Sequence, residues 1–161
     1  MTRTPSPLNI AWVTKTFERL TAGELYDAMQ LRQAIFVVEQ QCCYQDADGL
    51  DKFSVHVSGT LPSGQLVCYL RIVPPGRKYP EPSIGRVVVD QTVRGRGIGT
   101  LLMTRGIEIV EREYPTLGIR LSAQKHLERF YSTLGFHPTG GDYLEDAIPH
   151  VAMYRAAARA R

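Results

Sequence analysis

The amino-acid sequence predicts a single domain of the mixed α/β (α+β) class, in which helices pack on one central sheet that spans residues 1–161. The length of 161 residues suits one domain and is short for two. Segments with helical periodicity alternate along the chain with short apolar runs rich in β-branched residues. We find no internal repeat, low-complexity tract or linker that would divide the domain.

Composition excludes several classes of protein. The chain is 43% hydrophobic and 22% charged, as is ordinary for a soluble globular domain. Its apolar runs are too short to span a bilayer, so no membrane partner is expected. Residues Met1–Pro7 are polar and proline-rich, without the apolar core of a signal peptide. We therefore expect a cytoplasmic protein.

The cysteines and the net charge argue against two further kinds of site. Cys42 and Cys43 are adjacent and Cys68 is far away, so neither a disulfide framework nor a paired zinc motif is expected. The net charge of +3 is mild, and no basic stripe with interleaved aromatic residues appears. A basic end, which includes Arg159 and Arg161, is typical of a solvated terminus. No nucleic-acid partner is predicted.

The first long helix has a clear start. Thr21 and Glu24 have the spacing of a capping box, in which each side chain binds a free N–H of the first turn. Apolar periodicity then predicts a helix that runs to about Glu39. Arg32 falls on the apolar face of this helix. It either snorkels or pairs with Glu39, or it takes part in a site.

The remaining elements follow from apolar runs and from turn residues. An acidic loop over residues 44–51 follows the first helix. Alternation of turns with apolar segments predicts strands over 8–15, 54–61, 66–73, 84–90, 119–123 and 151–154, and helices over 97–114 and 127–134. Proline and glycine residues predict loops over 74–82 and 138–149.

A glycine-rich loop joins the 84–90 strand to the following helix. It reads Arg94-Gly95-Arg96-Gly97-Ile98-Gly99-Thr100. A helix N-terminus has unpaired N–H groups and partial positive charge, glycines let an anion approach the backbone, and arginines add cationic donors. Thr100 stands where a Rossmann fingerprint needs glycine, and the Gly-Lys-Ser/Thr of a Walker loop is absent. The loop therefore predicts a diphosphate-binding cradle of another kind.

This loop resembles the pyrophosphate loop of the GNAT superfamily of N-acetyltransferases. The 119–123 strand, followed by Phe130-Tyr131 and Gly135-Phe136, is similar to the second signature of that superfamily. Residues 31–40, the acidic loop, and the segments 84–87 and 148–150 resemble the ElaA branch. The resemblance covers nearly the whole chain from Glu24 onward.

The resemblance implies a fold, an activity and a co-substrate. The fold would be a mostly antiparallel central sheet, splayed at the acetyl-CoA site and flanked by helices. The activity would be transfer of an acetyl group from acetyl-CoA to a primary amine by direct attack on the thioester, without a metal. The implied acetyl-CoA contacts are Val87, Val88, Val89, Arg94, Gly95, Arg96, Gly97, Ile98, Gly99, Thr100 and Tyr131.

The resemblance also suggests catalytic groups. Tyr131 matches the position of a tyrosine that protonates the leaving thiolate, although its helical spacing from Leu127 equally suits a core residue. No acidic residue lies on the 84–90 strand before its final Asp90, where several family members carry a general base. The candidate bases are therefore Glu39, Glu145, Asp146 and His150.

The acceptor side is predicted around the acidic loop. Its spacing does not match a calcium-binding loop, so we interpret it either as an anionic wall for a cationic amine or as a solvated turn. Only Arg32 is foreseen as a counter-charge. The predicted acceptor contacts are Arg32, Phe36, Glu39, Asp46, Asp48 and Asp51.

Other questions stay open at this level. A small-molecule amine such as a polyamine, an aminoglycoside or an amino acid is one possible acceptor, and a protein N-terminus or lysine is another. We expect a monomer or a homodimer. The alternative function is a non-catalytic acyl-CoA-binding module, which would keep the glycine loop and need no proton donor.

Overall fold

Seven strands form one open sheet within residues 8–158, the part of the chain that this computed structural model describes. Neighbouring strands are antiparallel, except for the parallel pair β4–β5, and their order is β1-β2-β3-β4-β5-β7-β6. The predicted mixed, mostly antiparallel sheet is confirmed. The strands are β1 (Ala11–Thr16), β2 (Val55–Thr60), β3 (Leu66–Val73), β4 (Ser83–Val89), β5 (Ile119–Gln124), β6 (His137–Glu145) and β7 (Ile148–Arg155).

The α-helices are α1 (Ala22–Arg32), α2 (Ile98–Glu113) and α3 (Glu128–Thr133). The predicted capping box of α1 is present, because the Glu24 amide donates to Thr21 at 3.1 Å and the Thr21 amide donates to Glu24 at 2.8 Å. The helical segment ends at Glu39 as predicted, but Gln33–Glu39 is a π-helix. Such wide turns are frequent beside functional sites.

Helices cover both faces of the sheet. On one face α2 packs against β3, and the buried side chains there include Leu70, Leu102, Met103 and Val110. On the other face a smaller cluster joins α1 and the π-helix to the sheet through Ala28, Leu31, Ile35, Tyr69 and Val88. Because β3 is packed on both faces, it is the central strand of the core, and β4 is positioned by its pairing with β3.

The β6–β7 hairpin shows where the sequence-based prediction was wrong. Residues 138–149 were expected to form a loop, but most of them belong to β6 or to the start of β7. Every residue of β6 is exposed, and the strand pairs on one side only, with an irregular register between Pro138 and Asp142. A strand without a buried face has no apolar alternation that could reveal it.

Some expectations concern residues outside the described range, namely the missing signal-peptide core in Met1–Pro7 and the solvated end at Arg159 and Arg161. Within residues 8–158, no helix is both long and apolar enough to cross a membrane. The described cysteines, Cys42, Cys43 and Cys68, are free thiols.

Arg32 anchors the acidic loop from α1. Its side chain is fully buried, and its Nε lies 2.8 Å from Asp46 Oδ2 while its Nη1 lies 2.8 Å from Asp51 Oδ1. The expectation that Arg32 pairs with Glu39 is therefore wrong. A charge on the apolar face of α1 is accommodated because two carboxylates of the loop fold over it.

Two further arginines complete this network. Arg71 on β3 lies 2.5 Å from Asp48 and 2.9 Å from Asp51, and Arg86 on β4 lies 2.7 Å from Asp46 and 3.2 Å from Asp48. The expectation that Arg32 is the main counter-charge is corrected by these contacts. We call the three aspartates and three arginines the Arg–Asp network. Its formal charges balance, so the loop is not a free anionic wall.

The pKa of Asp51 shows which effect dominates in the network. Burial by itself raises the pKa of this carboxyl, but hydrogen bonds and charge from Arg32 and Arg71 lower it below the ordinary value. A lowered carboxyl pKa stabilises the folded state above the ordinary pKa, near ~4, and this contribution disappears as pH falls through the folded-state value.

We expect Arg71→Met to lower the free energy of unfolding by about 3 kcal/mol at pH 7, since it removes one of the two arginine partners of both Asp48 and Asp51 and leaves the network with an excess negative charge. The matched control is Arg112→Met, which breaks the exposed Arg112–Glu113 pair and should cost about 1 kcal/mol or less. Urea unfolding measures both. The Arg71→Met deficit should narrow as pH falls below about 4, because the stabilisation from the lowered carboxyl pKa values of the wild-type network is lost as pH falls through those values. Equal effects of the two variants would contradict a structural role for the network.

Candidate active site

The strands β4 and β5 separate shortly after they begin. Within residues 8–158 their one paired position is Ser83 opposite Arg120, beside a hydrogen bond of 3.0 Å from the Arg120 amide to the Pro82 carbonyl. Beyond this point the strands diverge, and a cavity of about 330 Å³ opens between them. The expected splay of the sheet is therefore present.

The cavity brings together residues that are far apart in the sequence. The predicted site residues that line it are Phe36, Asp48, Val87, Tyr131, Glu145, Asp146 and His150. Other predicted residues lie elsewhere: Arg32, Asp46 and Asp51 sit in the Arg–Asp network away from the cavity wall. These three residues therefore support the loop and do not face the cavity.

A β-bulge shapes the cavity wall on β4. Tyr69 pairs with Val88 and Arg71 pairs with Gly85. Between these pairs β3 has one residue, Leu70, and β4 has two, so β4 is the bulged strand. The bulge holds Arg86 at φ +52°, a left-handed conformation that is unusual for a non-glycine residue. Val88 packs into the α1 cluster, whereas Val87 lines the cavity.

The free edge of β4 offers backbone groups to a ligand. Val88 and Val89 pair with β3 on one side, while the side toward β5 has no partner strand at these positions. Unpaired N–H and C=O groups of a strand edge bind an extended molecule readily. This edge leads directly from the cavity toward the glycine-rich loop.

The glycine-rich loop is open where the sequence predicts a diphosphate cradle. Gly95 and Gly97 have φ values of +73° and +77°, and a Cβ built on either would meet no atom within 4 Å, so the space beside them is open. Gly97 is the N-cap of α2, and no side chain caps the helix there. The first amides of α2 are therefore available to an anion. The side chain of Ile98 is buried, so only its backbone amide can face a bound anion.

Arg94 and Glu39 form an ion pair beside this cradle. Arg94 Nη1 and Nη2 lie 2.5 Å and 2.9 Å from the two carboxylate oxygens of Glu39, and Nε donates to the Val89 carbonyl at 3.0 Å. The hydrogen bond from Arg94 lowers the pKa of Glu39. Glu39 does not line the cavity, so the structure does not bring this candidate base to Tyr131.

Tyr131 on α3 lies at the inner end of the cavity. Its ring packs edge-on against Phe130 and Phe136, with centroid distances of 5.1 Å and 6.2 Å. Burial raises its pKa to about 12, so the hydroxyl keeps its proton at neutral pH. Within residues 8–158 this hydroxyl makes no side-chain hydrogen bond. The two interpretations of Tyr131, core residue and proton donor, are thus compatible.

His150 and Glu145 lie on the hairpin side of the cavity. His150 Nδ1 lies 2.8 Å from the Ile148 carbonyl, an acceptor, so Nδ1 donates this hydrogen bond and fixes the ring. Nε2 is 3.9 Å from Glu145, and Glu145 accepts a hydrogen bond of 2.9 Å from Ser122. The Tyr143 ring stacks on the imidazole at 6.1 Å. His150 is therefore a candidate base with an oriented ring and an acidic neighbour.

Several lining residues were not anticipated from the sequence. Lys78 and Tyr79 come from the proline-rich segment between β3 and β4, Arg71 and Arg86 come from strands, and Ser122 comes from β5. A connector with many prolines carries no signal for a site, and alternation along a strand does not reveal which face meets a cavity. In the described part of the chain, no three His, Cys, Asp or Glu residues are placed to hold a metal ion.

Comparison with known proteins agrees with this geometry. Residues 27–156 match the family model described as "Acetyltransferase (GNAT) domain". A UPF0039 protein of Synechocystis is 42% identical over 146 residues, which cover 91% of this chain and 95% of that protein. The protein ElaA of Escherichia coli is 39% identical over 153 residues, with 94% and 99% coverage.

Solved structures show the same relationship. An acyl-CoA N-acyltransferase from Pseudomonas aeruginosa superposes with a TM-score of 0.87 at 43% identity, covering 92% of this chain and all of that one. The structure of Escherichia coli ElaA gives a TM-score of 0.86 at 38% identity, with 91% and 99% coverage. The chain therefore belongs to the GNAT acetyltransferase family, in the branch that contains ElaA and the UPF0039 proteins.

Proposed function

We propose that this protein is an acetyl-CoA-dependent N-acetyltransferase that transfers an acetyl group to a primary amine. The observation that carries the proposal is the path formed by β4, whose free edge connects the open glycine cradle to the cavity lined by Tyr131 and His150. A diphosphate at one end of this path and a reacting thioester at the other match the chemistry of acetyl-CoA.

The cradle fits the diphosphate through its backbone. The open space beside Gly95 and Gly97 lies at the uncapped N-terminus of α2, where amide N–H groups and the helix dipole favour negative charge. Arg94 stays close to this position through its pair with Glu39. The pantetheine arm would lie along the unpaired edge of Val87, Val88 and Val89 and extend β4 by backbone hydrogen bonds.

Two side chains supply the proton transfers. His150 Nε2 accepts a proton from the amine, and Glu145 stabilises the imidazolium that results. The neutral amine forms the new C–N bond at the thioester carbonyl as the C–S bond breaks, and the second proton that the nitrogen loses on becoming an amide passes to solvent. Tyr131 then donates its proton to the departing sulfur, because a group with a pKa of about 12 is fully protonated beforehand.

Gly97→Val should abolish the rise in melting temperature that acetyl-CoA causes in the wild-type protein. The branched side chain fills the open space beside the cradle. The matched control is Gly64→Val in the β2–β3 turn, where φ is +87° and the space is equally open. Both variants carry the same backbone strain, so both should melt earlier, but Gly64→Val should keep the ligand shift. A folded Gly97→Val protein with a normal shift would contradict the cradle.

Tyr131→Phe should lower kcat by about ten-fold or more while acetyl-CoA binding and stability hardly change. The substitution keeps the ring between Phe130 and Phe136 and removes only the hydroxyl, and general acids contribute about 10²–10⁴-fold. Tyr114→Phe is the control, since Tyr114 packs against the same core and does not line the cavity. Steady-state kinetics measure both. An unchanged rate in Tyr131→Phe would leave Tyr131 as a core residue and show that another group protonates the leaving sulfur.

His150→Gln should lower kcat, because the carboxamide occupies similar space but cannot accept a proton from the amine. His126→Gln serves as the control, because His126 is exposed and lies outside the cavity wall. Steady-state kinetics measure both. If kcat is unchanged in His150→Gln, another group accepts the proton.

A further inference from the structure

The charges that line the cavity divide into a balanced group and an unbalanced group. Asp48, Arg71 and Arg86 face the cavity, but their charges are met within the Arg–Asp network. The remaining charged side chains on the wall are Lys78 and the carboxylates of Glu145 and Asp146. The electrostatic character of the cavity therefore depends on this second group.

Lys78 adds a positive charge to the cavity wall. It belongs to the segment 74–82, which leads from β3 into β4, and its Nζ lies 5.4 Å from the centre of the Tyr79 ring. Within residues 8–158 its ammonium makes no hydrogen bond and has no carboxylate within 4.0 Å. Lys78 is exposed, yet nearby protein desolvates the ammonium and lowers its pKa. An ammonium that is partly desolvated and lacks a counter-ion favours an anionic ligand.

The other unbalanced charges on the cavity wall are acidic. Glu145 and Asp146 stand at the turn of the β6–β7 hairpin, beside the candidate base His150. The charge of Glu145 raises the pKa of Lys78, but the two groups are not in contact. The cavity thus offers one cation and, not in contact with it, carboxylates beside the candidate base.

We propose that the acceptor is an amine that also carries a carboxylate, and that Lys78 binds this carboxylate while the amine lies against Glu145 and His150. The inference rests on the proposed function and names its acceptor class. An ammonium group is attracted to the carboxylates of Glu145 and Asp146, and a carboxylate on the same molecule can form an ion pair with Lys78. A polyamine would place a second positive charge near Lys78, which costs binding free energy. The inference replaces the expectation of a purely cationic acceptor.

The test compares matched acceptors that differ only in charge. ω-Amino acids of increasing chain length and the corresponding ω-amino amides share the reacting amine, while only the acids carry a carboxylate. Thiol release from acetyl-CoA gives kcat and KM for each acceptor. We expect kcat/KM about ten-fold higher for the best acid than for its amide, which is the effect of one charge-assisted contact. The chain length with the largest ratio of kcat/KM for the acid to kcat/KM for the amide reports the distance between Lys78 and the candidate base His150.

Variants at Lys78 assign the preference to this residue. Lys78→Met should raise KM for the acids about ten-fold, leave kcat unchanged and leave the amides unaffected. Lys78→Arg should retain most of the preference because it keeps the positive charge. Lys52→Met is the control, since Lys52 is exposed and lies outside the cavity wall.

The outcomes separate the two proposals. Acetylation of amines without any preference for the acids would overturn the acceptor class and leave the acetyltransferase intact. An equal loss for acids and amides in Lys78→Met would also overturn the role of Lys78. If no amine of any class releases thiol while acetyl-CoA still raises the melting temperature, the proposed function itself fails, and the acceptor class fails with it.

Discussion

The parallel contact between β4 and β5 is the constraint on which the site depends. Parallel neighbours need a crossover, and α2 provides it, so the N-terminus of α2 stands just beyond the end of β4. Because the two strands pair at Ser83 and Arg120 and then diverge, the cavity opens toward the same end. The free amides at the N-terminus of α2 and the cavity thus lie at the same end of the sheet, because β4 and β5 diverge there and α2 begins there. Ligand sites are common at the carboxyl ends of strands for this reason.

Charge balance explains how the chain keeps a polar loop beside this opening. The acidic loop could not stay folded against the sheet as a set of free carboxylates, because they would repel one another. Arg32, Arg71 and Arg86 come from three different elements and neutralise it. The same contacts hold Arg86 in its left-handed conformation at the bulge. The network therefore supports the cavity wall, and the unbalanced charges on that wall belong to Lys78, Glu145 and Asp146.

The parts of the site that depend on local chemistry were predictable. The glycine cradle has its conformation because Gly95 and Gly97 adopt positive φ, and its position follows from the strand–loop–helix pattern. Tyr131 was predicted on α3 and lies in the cavity. Long-range pairing was not predictable: a pair between Arg32 and Glu39 was one of the alternatives for Arg32, whereas Glu39 lies against Arg94, 55 residues further on. Partners that distant leave no periodic signal in the sequence.

By itself, the sequence determined the family, the fold class, the glycine-rich loop before α2 and most of the strands and helices, since each depends on local periodicity, turn residues and short motifs. The tertiary structure decided which charges are neutralised and which face the cavity. It also decided the β6 strand, whose residues are all exposed and which is defined by its pairing with β7. The position of Lys78 is also a tertiary feature, because only folding brings a lysine from a proline-rich connector to the same cavity wall as Glu145. Such charge relations arise from side chains that meet across space, and no local pattern encodes them.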